Sequence, residues 1–325
     1  METVLITGGT GMIGKALTEA LIERGYDVIV LTRHLNDKLK TINPVRPGHP
    51  GGDKLSYAVW DIEKQTIDKK AFTKADYIIH LAGANFADKR WNAKTKNEIL
   101  TSRVDSAKLI VEYLKAVPNK VKTVISASGT SWYGADDKNR PRSYSEKDPV
   151  ADDFMAQVCK QWEAAIEPAS FLGKRLIKFR IGPVLSADGG AYVEFKNPVK
   201  FGVAGIIGNG NQTVSWIHID DLVRAILFAM ENEQMEGVYN AVSPKPVSNK
   251  EMILEIAKST GKFFIPIPAP SFALKIVFGE MIGEILKSTA VSSEKLQKTG
   301  FIFQYPDIKS AILQLSHRKN PQVSP

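Results

Sequence analysis

The chain has 325 residues, of which 43% are apolar and 24% charged, and its formal net charge is +8. This length and composition predict a soluble globular protein with one large α/β domain and a smaller lobe. A single cysteine, Cys159, leaves no internal disulfide and no cysteine-based metal cluster, so we expect a reducing, cytoplasmic location and no metal. The basic residues are scattered, which argues against a nucleic-acid partner, and charges interrupt the most apolar stretch, residues 272–286, so no membrane span is predicted.

The first 33 residues alternate between strand and helix patterns. Thr3–Thr7 is a short β-branched run, a glycine-rich turn follows, and residues 15–25 place four aliphatic side chains on one helical face. Residues 27–33, DVIVLTR, have the pattern of a second buried strand. This order of elements predicts a βαβ unit, whose two strands are parallel.

The same alternation continues as far as residue 185. Further strands are predicted at residues 56–61, 75–83, 122–129 and 175–185, and long helices at residues 98–117 and 153–169. The pattern predicts an α/β fold, a Rossmann-type doubly wound parallel sheet that binds ligands at the carboxyl ends of its strands.

Beyond residue 185 the sequence becomes richer in glycine and proline, with a strand and helix pattern restored at residues 216–230. We therefore expect a Rossmann domain at residues 1–185, completed by residues 214–242. The predicted smaller, substrate-binding lobe comprises residues 186–213 and 243–316, and a disordered tail is expected at residues 317–325.

The stretch ITGGTGMIG, residues 6–14, joins the first strand to the first helix. Its glycines have the spacing GxxGxxG, which allows a tight turn and lets a pyrophosphate approach the backbone at a helix N-terminus. A purely structural turn is the alternative. The predicted dinucleotide contacts in this stretch are Thr7, Gly8, Thr10, Gly11, Met12, Ile13 and Gly14.

The end of the second strand indicates which dinucleotide is bound. An acidic residue there would bind the ribose 2′-hydroxyl of NAD, but the residue is Arg33, whose guanidinium can pair with a 2′-phosphate. This favours NADP(H), with a solvated arginine as the alternative. Asp61, after the third strand, is a suitable acceptor for the adenine amino group, and Ile62 beside it is also predicted to bind the cofactor.

Several motifs occur in the order seen in extended short-chain dehydrogenase/reductases. They are TGGTGMIG (7–14), WDI (60–62), HLAGA (80–84), SASGTSWYG (126–134), RIGPVL (180–185) and WIHIDDL (216–222). GNGNQ (208–212), KPVSN (245–249) and residues 296–312 resemble, more narrowly, the epimerase subgroup labelled nucleoside-diphosphate-sugar epimerase or cell-division-inhibitor-like. The resemblance implies that Leu81, Ala82, Gly83 and Pro183 line the cofactor.

In this superfamily a Ser or Thr, a Tyr and a Lys act together in proton transfer. The resemblance gives the serine role to Ser128, with Thr130 and Ser131 as nearby alternatives, but it places Met155 and Cys159 at the Tyr and Lys positions. A thioether has no proton to give and a neutral thiol supplies no positive charge, so the pair is absent.

Other residues with relevant spacing or position are weaker alternatives. Ser102 stands where the supporting asparagine of the preceding helix is expected, and Tyr133 is the alternative proton donor. Two further Tyr-xxx-Lys spacings, at residues 192–196 and 305–309, are interpreted as coincidences. His218 is expected to be structural, with Asp220 and Asp221 capping the helix after it.

The loop ANFADKRW carries Lys89, Arg90 and Trp91, which we predict to line the pocket of a small-molecule substrate and to suit an anionic or carbonyl group. The sequence thus predicts an NADP(H)-dependent oxidoreductase or epimerase-like enzyme. The alternative is a catalytically impaired NADPH-binding regulator or scaffold, because the Tyr-xxx-Lys pair is missing. The long helices at residues 98–117 and 153–169 would also allow a homodimer.

Overall fold

The computed structural model describes residues 1–35, 54–136 and 143–318. The strands are β1 (Thr3–Thr7), β2 (Asp27–Thr32), β3 (Leu55–Asp61), β4 (Thr66–Ile67), β5 (Tyr77–His80), β6 (Thr123–Gly129), β7 (Arg175–Ile181), β8 (Val184–Leu185), β9 (Val203–Ile207), β10 (Thr213–Val214), β11 (Ile217–His218), β12 (Gly237–Ala241), β13 (Val247–Ser248) and β14 (Ile265–Ala269). The α-helices are α1 (Met12–Glu23), α2 (Lys69–Lys74), α3 (Ala93–Ala116), α4 (Phe154–Ile166), α5 (Pro168–Phe171), α6 (Gly190–Val199), α7 (Ile219–Glu231), α8 (Asn249–Ser259), α9 (Ser271–Phe278), α10 (Ile282–Ile285), α11 (Glu294–Lys298) and α12 (Ile308–His317).

The central sheet has eight strands in the order β12-β7-β6-β5-β1-β2-β3-β4. Every neighbouring pair is parallel except β3 and β4. The chain order reverses at β1, which lies between β2 and β5, so β1 marks the switch point at which doubly wound sheets bind ligands. The predicted Rossmann-type fold class is confirmed.

Two hydrophobic cores cover the two faces of this sheet, as the near-continuous apolar runs of its strands require. Along β1, Val4 and Ile6 face the core formed with α1 and α7, whereas Leu5 faces the core formed with α2, α3 and α4. This alternation follows from the two-residue period of a strand and fixes which side chains reach each layer.

A smaller set of elements packs beyond the carboxyl edge of the sheet. It contains α6, α8 and α12, whose buried residues surround Trp216 and Tyr192, and the parallel pair β9 and β14. After β14 the chain returns to the large sheet, where Met281 packs with Trp91 and Met155. This return brings residues 279–287 against the segment that follows β6 and against the N-terminus of α4.

One expectation at the start of a helix was inaccurate. His218, rather than Asp220 or Asp221, caps α7: its Nδ1 accepts from the Asp220 backbone N–H at 3.1 Å. The expected tail at 317–325 overlaps α12, which ends at His317, and residues 319–325 lie outside the described residues. Across the parts of the chain that are described, no helix is both long and apolar enough to cross a membrane.

Candidate functional site

The turn between β1 and α1 is packed so closely that two of its glycines cannot be replaced. A Cβ on Gly8, whose φ is +72°, would lie 2.8 Å from the Leu81 carbonyl carbon. A Cβ on Gly14 would lie 2.3 Å from the Gly8 oxygen. The turn is closed by the Gly11 N–H, which donates to the Gly8 oxygen at 3.0 Å. At the switch point of the sheet, a ligand can therefore approach the backbone of this turn without meeting side chains at Gly8 or Gly14.

Within the part of the chain that the structure describes, no side chain caps the N-terminus of α1, and its first turn contains no acidic residue. Six other helices in the described chain are capped by a side chain: α2, α3, α4, α7, α8 and α12. Among the described residues, the first N–H groups of α1 thus have no capping side chain, and the first turn itself carries no carboxylate. Together with the helix dipole, they fit the pyrophosphate of a dinucleotide.

Thr7 and His80 hold the ends of β1 and β5 together beneath this turn. The Thr7 Oγ1 lies 2.8 Å from His80 Nδ1 and accepts from the Ala82 backbone N–H at 3.2 Å. Burial lowers the pKa of His80 to about 4, so its imidazole is neutral at neutral pH. The segment Leu81, Ala82 and Gly83 is consequently fixed beside the glycine turn, and Ser102 extends this support by accepting from the Ala84 N–H at 2.9 Å.

The residues predicted to bind the two ends of the cofactor lie along the same edge. Arg33 is exposed, one residue beyond β2, and Pro183 is exposed beyond β7. Asp61 ends β3, and its Oδ1 accepts the backbone N–H groups of Glu63 and Lys64, both at 3.0 Å. The roles of these residues toward a ligand stay predictions.

Ser128 and Tyr133, the two residues predicted to be catalytic, are both buried in one polar network, and their roles toward a substrate stay predictions. Ser128 is 4% exposed and donates to Glu163 Oε1 at 2.7 Å, and Tyr133 is fully buried with its hydroxyl donating to Asn240 at 2.8 Å. Arg180 joins the two, because it pairs with both Glu163 oxygens and donates to the Tyr133 hydroxyl at 3.0 Å. Burial raises the pKa of Tyr133 to about 12, so it is a poor acid at neutral pH.

The helix that usually carries the Tyr and Lys presents two apolar groups instead. Met155 is 5% exposed and packs with Trp91, Ile99 and Met281. Cys159 is 2% exposed, and burial raises the pKa of its thiol to about 12. A Cβ added to Gly129 would lie 3.4 Å from the Cys159 sulfur, so the sulfur faces the end of β6. Because of its raised pKa, the thiol is neutral there.

Lys89, Arg90 and Trp91 each contact a different neighbour, and their role toward a substrate stays a prediction. Trp91 is 9% exposed, packs on Phe154 with ring centroids 5.2 Å apart, and donates its Nε1–H to a backbone oxygen. The exposed Lys89 lies 3.6 Å from the Glu98 carboxylate. Arg90 lies against Gly279: a Cβ added to Gly279 would be 2.6 Å from the Arg90 Nε.

A polar cluster that sequence spacing did not reveal lies next to Met155 and Cys159. The Ser131 hydroxyl donates to Glu284 Oε1 at 2.5 Å, and Lys287 lies 2.6 Å from Glu284 and 3.0 Å from Asp153. Burial alone would lower the pKa of Lys287, but these two carboxylates raise it above its ordinary value. Ser131, one of the alternatives for the serine role, is thus half-buried and backed by a carboxylate and an ammonium group.

The two extra Tyr-xxx-Lys spacings lie away from this cluster. Lys196 donates to the Tyr192 hydroxyl at 3.2 Å, but Tyr192 is 1% exposed in the core of the smaller lobe. The Tyr305 ring lies against His218 with centroids 4.0 Å apart. In the described residues, no group of three or more His, Cys, Asp or Glu side chains is placed to hold a metal ion.

Comparison with known proteins places this geometry in a family. The sequence model of the NAD dependent epimerase/dehydratase family matches residues 4–160 and 196–241, and that of a domain of unknown function, DUF1731, matches residues 269–315. An epimerase family protein of Staphylococcus saprophyticus is 35% identical over 318 residues, which cover 98% of this chain and 100% of that protein.

Solved structures agree with this assignment. The crystal structure of a human epimerase family protein, SDR39U1 isoform 2, determined with NADPH, has a TM-score of 0.83 at 29% identity, covering 97% of this chain and 99% of that one. A UDP-glucuronic acid 4-epimerase of Bacillus cereus has a TM-score of 0.77 at 18% identity, with coverage of 97% and 98%, which shows a shared fold alone. Because family matches and relatives span most of its length, the chain belongs to the NAD-dependent epimerase/dehydratase family and carries a C-terminal DUF1731 region.

Proposed function

We propose that this protein binds NADP(H) along the carboxyl edge of its sheet and transfers hydride to or from a carbonyl or carbinol carbon of a small molecule. The observation that carries the proposal is the glycine turn, where the backbone tolerates no Cβ on Gly8 or Gly14 and leads into the uncapped α1. The human relative that was crystallised with NADPH supports the choice of nucleotide.

Preference for NADP(H) over NAD(H) rests on Arg33. Its exposed guanidinium, directly after β2, can donate two parallel hydrogen bonds to a 2′-phosphate. Among the motif residues predicted to bind nucleotide, it is the one whose charge distinguishes the two cofactors.

We further propose that Ser131, rather than Ser128, positions the reacting oxygen. Its hydroxyl is held by Glu284, which is held in turn by Lys287, so this row of polar groups is suited to orient a substrate oxygen and to move a proton. When bound, the nicotinamide supplies or accepts the hydride. Glu284 and Lys287 come from the DUF1731 region, which gives that region a part in the site.

The reaction proposed is reduction or oxidation rather than epimerisation. An epimerase must return a proton and a hydride to the same substrate, and the usual Tyr and Lys for this are replaced by the buried Met155 and Cys159. The narrower subgroup of nucleoside-diphosphate-sugar epimerases stays a proposal based on the motifs, with a nucleotide sugar as one substrate class. A Corynebacterium glutamicum protein of that name is 32% identical, although the chain covers 58% of it.

Calorimetric titration of the nucleotide-stripped protein with NADPH and with NADH tests the proposal. We expect tighter binding of NADPH, and loss of that preference in Arg33→Asp. Lys70→Asp makes the same change of charge at an exposed position of α2 and should leave both affinities unchanged.

Two results would contradict the proposal at different levels. If neither nucleotide binds, the glycine turn is purely structural and the enzyme proposal fails. If NADPH binds but is never consumed with a broad panel of aldehydes, ketones and quinones, the alternative of a non-catalytic NADPH-binding regulator replaces it.

A further inference from the structure

Four large apolar side chains project into solvent from the smaller lobe. Phe201 and Phe263 each stand two residues before a strand of the parallel pair β9 and β14, and Ile265 and Ile267 belong to β14 itself. Their exposed fractions are 86%, 82%, 53% and 45%. Single exposed apolar residues are common in proteins, but a contiguous cluster marks a binding surface. We call these four side chains the lobe patch.

Backbone hydrogen bonds hold the two phenylalanines next to each other. The Phe201 N–H donates to the Pro198 oxygen at 3.0 Å, which fixes Phe201 on the turn that ends α6. The Ile265 N–H donates to the Gly202 oxygen at 2.9 Å, where the pairing of β9 and β14 begins. A Cβ added to Gly202 would lie 3.9 Å from the Phe263 oxygen. The patch is therefore a defined feature of the fold.

Two prolines block the outer edge of β14 against a further strand. Among the described strands, β14 pairs with β9 alone. Because the Ile265 N–H points to the β9 side, the backbone nitrogens at positions 266 and 268 face the opposite edge, and both positions are proline. Proline has no N–H to donate, so a partner cannot bind here by adding a strand. The patch must bind through its side chains.

Positive charge accompanies the patch. Lys200 and Lys262 directly precede the two phenylalanines, and both are exposed. Among the described residues, neither lysine lies within ion-pair distance of a carboxylate. The acidic residues of α6 and α8 that are nearest to them in sequence are Glu194 and Glu255, and Glu255 is already paired with Lys258 at 2.7 Å. The patch thus combines apolar side chains with lysines that lack a counter-charge.

This combination fits the surface of an anionic lipid bilayer. Apolar side chains insert at the boundary between headgroups and acyl chains, and lysines beside them are attracted to anionic headgroups. The net charge of +8 acts in the same direction. A second copy of the chain is a poorer occupant, because two facing patches would bring Lys200 and Lys262 of both copies together.

We propose that the lobe patch docks this protein onto anionic lipid membranes, with Phe201 and Phe263 inserted among the headgroups and Lys200 and Lys262 against the lipid phosphates. A contact of this kind needs no membrane-spanning helix. It is separate from the proposed cofactor site, because β9 and β14 form a sheet of their own outside the central sheet.

Sedimentation of the full chain with lipid vesicles tests this inference. Vesicles of phosphatidylcholine and phosphatidylglycerol in equal parts are compared with vesicles of phosphatidylcholine alone, at an ionic strength of about 0.1 M. We expect clearly tighter binding to the mixed vesicles. We also expect that binding to weaken at about 1 M salt, where the Debye length falls to about 3 Å.

Substitutions of phenylalanine test the apolar part of the contact. Phe201→Ser and Phe263→Ser should each weaken binding to the mixed vesicles about tenfold, because each removes an aromatic side chain from the bilayer. Phe171→Ser is the matched control: Phe171, at the end of α5, is also 82% exposed, and its loss should leave binding unchanged. Since all three side chains are exposed, the variants should keep the circular dichroism spectrum of the unaltered protein.

Substitutions of lysine test the electrostatic part. Lys200→Gln and Lys262→Gln should each weaken binding to the mixed vesicles about fivefold, the usual effect of one basic residue near an anionic membrane. The double variant Lys69→Gln with Lys70→Gln, on α2, removes the same two charges elsewhere and should have a clearly smaller effect than the double variant of the patch.

Three results would overturn the inference. The unaltered protein could fail to bind the mixed vesicles, or Phe171→Ser could weaken binding as much as Phe201→Ser. Alternatively, the unaltered protein could sediment as a dimer without lipid and become a monomer in Phe201→Ser or Phe263→Ser, which would show that a second copy covers the patch. None of these measurements involves NADPH, so the cofactor proposal is tested separately.

Discussion

Replacing Arg180 by methionine should destabilise the folded protein by about 3–5 kcal/mol, the usual cost of leaving a buried charge without its partner. Arg180 and Glu163 have side chains that are 3% and 6% exposed, and their bonds measure 2.8 Å and 3.0 Å. The variant removes both bonds and also the donor to the Tyr133 hydroxyl, so the estimate belongs at the upper end of single-residue effects.

Urea unfolding followed by tryptophan fluorescence and circular dichroism measures this loss. Trp132 is a local reporter, because the Arg180 Cζ lies 3.6 Å above its ring. We expect the midpoint to fall with the slope unchanged, as for a change in stability alone. The double variant, Glu163→Leu together with Arg180→Met, leaves neither partner of the pair buried without its counter-charge. Its loss in free energy of unfolding should therefore be clearly smaller than the sum of the losses in the two single variants.

Ser128→Ala is the matched control, and it also tests the proposal that Ser131 rather than Ser128 positions the reacting oxygen. It removes one hydrogen bond but leaves Glu163 paired with Arg180, so we expect a loss of about 1–2 kcal/mol and unchanged NADPH binding. A loss below about 1 kcal/mol in Arg180→Met would refute the reasoning on the buried pair. If Ser128→Ala abolished NADPH-dependent turnover without loss of stability, Ser128 would be catalytic after all.

Three further predictions concern the turn, the support beneath it and the polar cluster. Gly14→Ala should abolish NADPH binding, because its Cβ would stand 2.3 Å from a backbone oxygen. Gly205→Ala should not, because none of the described atoms lies within 4 Å of its Cβ, and equal titrations of the two variants would contradict this reasoning. His80 has a pKa near 6.5 in the unfolded chain but about 4 in the folded protein, so between these pH values the unfolded chain binds a proton that the folded protein does not. The free energy of unfolding should therefore fall by about 3 kcal/mol as the pH drops from 6.5 to 4. Urea unfolding of His80→Asn at pH 7 and pH 4.5 should show a smaller change, and an equal change would disprove the assignment. Carboxylates raise the folded pKa of Lys287, so its contribution is fully present below its ordinary value of 10.5 and is lost as pH rises above it. The stability gap between the unaltered protein and Lys287→Met should therefore close above about pH 10.5 in urea unfolding, and a gap that persists would show that packing rather than charge is responsible.

The sequence by itself determined the local features of the fold. A β-branched run, a glycine turn and an amphipathic helix within the first 25 residues predicted β1, the turn and α1, because each depends on neighbours a few residues apart. The same reasoning placed Met155 and Cys159 on one face of α4, since residues four apart share a helix face. It missed the start of α3 at Ala93 by five residues, because Asn92 caps that helix before its apolar pattern begins.

Only the tertiary structure decided which side chains are available at the site. Ser128 and Tyr133 have suitable chemistry and position in the chain, but their burial depends on Arg180, which a different strand supplies. Glu284 reaches Ser131 across 153 residues, through a segment that returns from the smaller lobe. Short-range spacing fixes which residues share a face of a helix or strand, but the partner facing them is chosen by the packing of distant segments, and here that packing buries the expected groups and exposes others.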